Sequence, residues 1–132
     1  MKKNEQIQGW IEQLRTNPSE NIMFCLIDAG EDALPPLVVA WQNEEDPSIR
    51  NRLFEVLSEM PRKETIPLFE QKLLSPDQEE VRFAALGLFR FDALRYQTNI
   101  LNAIQAHPTL SKEKQFVDYI EAGLKAARKR SQ

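Results

Sequence analysis

Apolar residues recur along the chain with a helical period. Ile7, Trp10, Ile11 and Leu14 stand at i, i+3, i+4 and i+7, a spacing that puts them on one face of a helix. The same arithmetic predicts further helices over 19–29, 33–43, 47–60, 64–74, 76–92, 97–106 and 111–129. Leu34, Leu37, Val38 and Trp41 mark the core side of the third. Ile49, Leu53, Val56, Leu57 and Met60 mark the fourth, and Phe116, Ile120, Leu124 and Ala127 the last. The segment 19–29 is apolar almost all round, and 76–92 leaves little polar face, as suits a helix touched on several sides. The alternation expected of strands is absent almost everywhere. Eight helices joined by short loops make four antiparallel pairs, over 4–29, 33–60, 64–92 and 97–129.

Proline marks a repeat. Asn17-Pro18, Asp46-Pro47 and Ser75-Pro76 recur every 29 residues. Each reads as a helix N-cap followed by proline at the first helical position, where a missing N–H costs nothing. Glu20 and Gln78 stand at the capping-box position after the first and third caps. His107-Pro108 is a weaker fourth instance. A second register aligns Asp32-Ala33-Leu34-Pro35-Pro36-Leu37 with Glu64-Thr65-Ile66-Pro67-Leu68-Phe69, 32 residues later. Gly30 is placed to end the second helix. Two registers of similar period point to repeated helix hairpins.

The segment Glu80-Val81-Arg82-Phe83-Ala84-Ala85-Leu86-Gly87-Leu88 resembles the start of the second helix of a HEAT repeat. Asp46-Pro47-Ser48-Ile49-Arg50-Asn51-Arg52-Leu53 is a weaker copy, and Pro35 and Pro67 match the proline expected in the first helix of a pair. The match covers roughly residues 31–92. The short period also resembles the HEAT-like repeats of bilin lyases and of small bacterial proteins. The resemblance implies an all-α fold, a short right-handed α–α superhelix of about four hairpins forming a single domain over residues 1–132. It implies that second helices line a concave binding face, and that Arg50 and Arg82 brace one repeat against an acidic residue of the next. Stacking would bury a continuous core and leave polar outer faces on the end repeats. The last helix suits an end, with Asp118, Glu121, Lys125, Arg128, Lys129 and Arg130 on its exposed side.

Composition adds limits. With 132 residues, 42% hydrophobic and 28% charged, the chain is long enough to bury a core without disulfides or metal. A net charge of −3 disfavours nucleic-acid binding, which calls for basic excess. The basic turn Lys125, Arg128, Lys129 and Arg130 is the one place where phosphate could be met, although cations there also suit the helix dipole. Cys25 is the only cysteine, which fits a reducing, cytoplasmic setting. No apolar stretch of signal-peptide length follows the first residues, and the longest apolar run, Ile22–Ile27, is far too short to span a membrane.

Catalytic chemistry is not visible. His107 is the single histidine, too little for a metal site. Cys25 lies among apolar residues, the surroundings of a structural thiol. The glycines are scattered and form no phosphate loop. Glu44, Glu45, Asp46, Asp77, Glu79 and Glu80 crowd helix starts, where carboxylates favour the dipole. No cofactor or metal is expected, and the expected role is a non-enzymatic protein-binding module: an adaptor, regulator or inhibitor. The alternatives are a HEAT-like enzyme, such as a bilin lyase or DNA base glycosylase, and a weak nucleic-acid binder. Projected at 100° per residue, the line opposite the apolar arc of helix 47–60 is Asn51, Glu55 and Ser58, and in helix 76–92 it is Phe83, Gly87 and Arg90. These six are the candidate partner contacts. Phe83 and Arg90 lead, since aromatics and arginine are enriched at binding hot spots.

Overall fold

The computed structural model describes residues 3–131. Among them the chain is all-helical, with no strand. The helices are α1 (Lys3–Thr16), α2 (Glu20–Ala29), α3 (Leu34–Asn43), α4 (Pro47–Glu59), α5 (Ile66–Lys72), α6 (Gln78–Asp92), α7 (Gln97–Ala106) and α8 (Lys114–Arg130). Single 3₁₀ turns at Gly30–Asp32, Lys63–Thr65 and Leu110–Lys112 precede α3, α5 and α8. No described helix is long and apolar enough to cross a membrane. The chain divides into two compact units between Met60 and Pro61.

In the first unit α1 packs against α2, α3 and α4, and α3 packs on α4. Ile7, Ile11 and Leu14 of the predicted α1 stripe are buried, and Trp10 at its edge is half-buried. Each fully buried Leu or Ile contributes about 1.5–3 kcal/mol relative to exposure. Trp41 of α3, 3% exposed, stacks on Phe54 of α4 with ring centroids 5.0 Å apart. Arg50 lies 4.7 Å over the same indole, and its Nε donates to the Trp41 carbonyl at 3.2 Å. Arg52 reaches from α4 to the end of α1, where its Nη1 donates to the carbonyls of Leu14 (3.1 Å) and Arg15 (3.2 Å). Those carbonyls lie in the last turn of α1, where no intrahelical donor remains.

Helix starts follow capping chemistry, with two changes from the predicted positions. Asp46 caps α4 as expected, accepting from the N–H groups of Ser48 (2.9 Å) and Ile49 (3.2 Å), with Pro47 at the first position. The N–H of Asn17 instead donates to the Gln13 carbonyl at 2.7 Å, so Asn17 closes α1 and Ser19 caps α2. Asp77, not Ser75, caps α6, accepting from Glu79 (2.8 Å) and Glu80 (3.1 Å). The Ser75 hydroxyl accepts from the Asp77 N–H at 3.0 Å and donates to Glu80 at 2.6 Å. Gly30 ends α2 at φ 61° and ψ −127°, a conformation only glycine adopts without strain.

In the second unit α5 packs on α6 and α6 on α7. Phe69 of α5 is fully buried over Gly87 of α6. A Cβ on Gly87 would stand 2.7 Å from the Phe69 ring, so the absent side chain sets how closely these helices meet. Phe116, Ile120 and Leu124 of α8 are buried, as its period predicts. Gly123 gives the Phe89 ring the same kind of clearance.

Polar ties recur near one repeat length apart within each unit. Arg15 Nε donates to Glu44 Oε1 at 2.7 Å, 29 residues on. His107 Nε2 lies 3.1 Å from the Pro76 carbonyl, 31 residues back. Arg82 pairs with Glu113, 31 residues on, as well as with Glu79 at 3.2 Å, and lies 5.2 Å over the Phe116 ring. Arg128 Nε donates to Gln97 Oε1 at 3.1 Å, again 31 residues away. Arg82 thus pairs with acids on both sides, and Arg50 packs over Trp41.

Candidate docking surfaces

The six candidate contacts divide by burial and by unit. In the first unit Asn51 and Glu55 are half-buried on α4. Ser58 is fully enclosed, and its hydroxyl donates to the Glu55 carbonyl at 2.6 Å. In the second unit Phe83 is half-buried, Gly87 is covered by Phe69, and Arg90 is exposed. Ser58 and Gly87 thus serve packing, one because its hydroxyl is spent on backbone and the other because a ring occupies the space beside it. Asn51, Glu55, Phe83 and Arg90 retain some exposure.

The titratable groups singled out in the sequence have structural surroundings. His107 caps the end of α7. Its Nδ1 faces the backbone N–H groups of Thr109 (3.4 Å) and Leu110 (3.3 Å), leaving the Nε2 proton to be donated to Pro76. Cys25 is half-buried rather than enclosed. Glu44 accepts from Arg15 and from the Asp46 N–H, and these bonds lower its carboxyl pKa below the ordinary glutamate range. Arg15 is raised by hydrogen bonding to, and the charge of, Glu44 and then Glu12. Among the described residues no group of three His, Cys, Asp or Glu side chains converges to hold a metal ion.

The clearest exposed apolar feature is on α2. Only Leu26 of this ten-residue helix is buried. Phe24, about 160° around the helix from Leu26, is 56% exposed. Glu20 and Asp28 lie one turn before and after it, both exposed, while Cys25 and Ile27 form half-buried shoulders. The contrast with α6 is instructive. That helix is less apolar in composition yet buries Val81, Ala84, Ala85 and Leu88. The packed core reaches one side of α2 and leaves the other in water. The i, i+4, i+8 order of acid, phenylalanine and acid was readable in the sequence, but which side the core would leave uncovered was not.

Two of the second unit's grooves carry exposed apolar walls. One, of about 670 Å³, runs between α5 and α7, with Leu73, Leu74, Asn102, Ala106 and His107 among its walls. Leu74 there is 87% exposed. The other lies between α6 and the start of α8, where Leu86, Phe116 and Tyr119 meet Arg82 and Lys114. Charge separates the units: the first holds 11 acidic and five basic residues, the second nine acidic and 12 basic. No family model, no curated protein and no solved structure matches the chain.

Proposed function

We propose that the chain is a non-enzymatic protein-interaction module, an adaptor, regulator or inhibitor, built on a HEAT-like α–α superhelical plan. The observation that carries this reading is the set of large apolar side chains left in water on an otherwise well-buried helical framework: Phe24, Val39, Leu74, Phe91 and Tyr119. Aromatic side chains are enriched among the residues that carry binding energy at protein contacts, and Phe24, Phe91 and Tyr119 are the aromatics of this set. Phe83 and Arg90 remain the proposed contacts on α6, with Asn51 and Glu55 on α4. A cytoplasmic setting accords with the single thiol. The acidic first unit speaks against nucleic acid as the main partner.

The test is to identify a captured protein, purify it and titrate it against the chain. Saturable binding at micromolar or tighter Kd supports the reading. Failure of every purified candidate to bind overturns it. Phe83→Ala combined with Arg90→Ala should keep the helical circular-dichroism signal and weaken binding at least tenfold. Unfolding of that variant would instead place Phe83 in the core.

A further inference from the structure

We propose that the outer line of α2, Glu20, Phe24 and Asp28, docks a basic amphipathic segment of a partner protein; this rests on the interaction-module reading. The apolar side of the segment covers Phe24 and the shoulders Cys25 and Ile27. Its lysines or arginines meet Glu20 and Asp28, one helical turn to either side.

Three observations converge on that chemistry. First, α2 is apolar around most of its circumference, yet its core contact is confined to the Leu26 side. Phe24, on the side away from the core, leaves more than half of its surface in solvent. Second, the charged residues of α2 itself are both acidic. Glu20, Asp28 and Glu31 are exposed on or beside α2, and Asp32 follows them, held by Lys3 at 2.6 Å. Third, the three arginines of this unit are engaged with other groups. Arg15 pairs with Glu44 and Glu12, Arg52 donates to the α1 carbonyls, and Arg50 packs over Trp41. The face therefore repels phosphate-rich partners such as nucleic acids and anionic lipid, and attracts cations. An exposed ring between carboxylates also accepts a guanidinium or ammonium over its face.

A second copy of this chain fits less well. Its basic turn at Lys125, Arg128, Lys129 and Arg130 supplies charge, but the apolar stripe of α8, Phe116, Ile120 and Leu124, is already buried. It would bring cations without an apolar cover for Phe24. A separate segment carrying both is the better complement.

The probe is a fluorescein-labelled 14-residue amphipathic peptide of leucine and lysine, titrated by anisotropy at physiological ionic strength. A leucine–glutamate peptide of the same pattern serves as the charge control. The wild type should bind the lysine peptide at least tenfold more tightly than the glutamate peptide. Phe24→Ala should weaken binding at least tenfold and keep the helical circular-dichroism signal, because more than half of the residue is exposed. Glu20→Lys with Asp28→Lys should weaken it as much. Glu5→Lys with Glu45→Lys changes net charge equally at exposed sites away from the line, and should change Kd less than twofold. Equal weakening by the two charge reversals would reduce the effect to net charge and overturn the proposal. So would concentration-dependent self-association that Glu20→Lys with Asp28→Lys abolishes, which would make the occupant a second copy. A purified native partner that binds Phe24→Ala as tightly as wild type removes the α2 assignment and leaves the module reading standing. Peptide binding that follows this pattern while no native protein partner binds has the opposite meaning.

Discussion

Replacing Gly87 by alanine should destabilise the second unit, although glycine-to-alanine in a helix interior ordinarily stabilises by about 1 kcal/mol. The sign turns on one ring. A Cβ at position 87 would lie 2.7 Å from Cε2 of Phe69 and 2.8 Å from Cδ2 and Cζ. Unstrained carbon contacts lie near 3.5–4.0 Å, so the ring or the helix must retreat by about 1 Å. Phe69 is fully buried in a packed interior, and its ring has no free volume into which to turn. Overpacking of this kind costs about 1–3 kcal/mol, and subtracting the propensity gain leaves a net loss of up to about 2 kcal/mol. Gly9 is the internal control. It lies in α1, exposed, with nothing within 4 Å of a built Cβ, so Gly9→Ala should stabilise by about 1 kcal/mol. Urea unfolding followed by circular dichroism would report the midpoints, and hydrogen exchange would localise each effect to its helices. Shrinking the ring in Phe69→Leu should lessen the cost of Gly87→Ala, so that the double variant is more stable than additivity predicts. A stabilised Gly87→Ala, or equal signs at positions 9 and 87, would refute the close approach of α5 and α6.

Two further outcomes can be checked in the same assay. Asp77→Ala should cost about 1 kcal/mol through loss of the α6 cap, whereas Asn17→Ala should be near neutral because Ser19 caps α2; the reverse order would restore the proline-based assignment. Glu44→Gln should be less stable than wild type at neutral pH. Because the folded-state pKa of Glu44 is lowered, its contribution is complete above the unfolded value, near 4.3, and disappears as pH falls through the lower folded value. The difference between the two proteins should therefore shrink on acidification across that window and stay constant above it; a difference independent of pH would refute the Arg15–Glu44 tie.

Much of the architecture was legible because hydrophobic period and helix punctuation agree. α7 matches its predicted 97–106 span, and α4 starts at Pro47 after Asp46 as the cap rule requires. The misplaced starts share one cause, a competition for hydrogen bonds that spacing cannot reveal. Asn17 is drawn into the end of α1, and Ser75 into a loop where it serves Asp77 and Glu80. Predicted helix 64–74 opens with a 3₁₀ turn, in which Thr65 Oγ1 accepts from the Arg62 N–H at 3.1 Å. The candidate site was less legible. Helical projection found the line opposite the core of α4 and α6, but it could not tell that Ser58 would be enclosed or that Phe69 would cover Gly87. Nor could it tell that α2, the more apolar of the two, would be covered on fewer sides than α6. That depends on contacts remote in sequence.

The ties spaced 29 to 31 residues apart have a consequence for how such a chain can change. Three of them fasten a side chain to a point on the neighbouring helix pair and the fourth, Arg128 to Gln97, closes the last pair on itself, so the loop lengths between them are limited by the reach of an arginine or a histidine. One residue gained or lost in such a loop shifts everything downstream by a fraction of a turn and pulls donor from acceptor. A whole hairpin gained or lost can leave the spacing of every remaining tie intact. A single-residue insertion in one of these loops should therefore lower the unfolding midpoint of its unit.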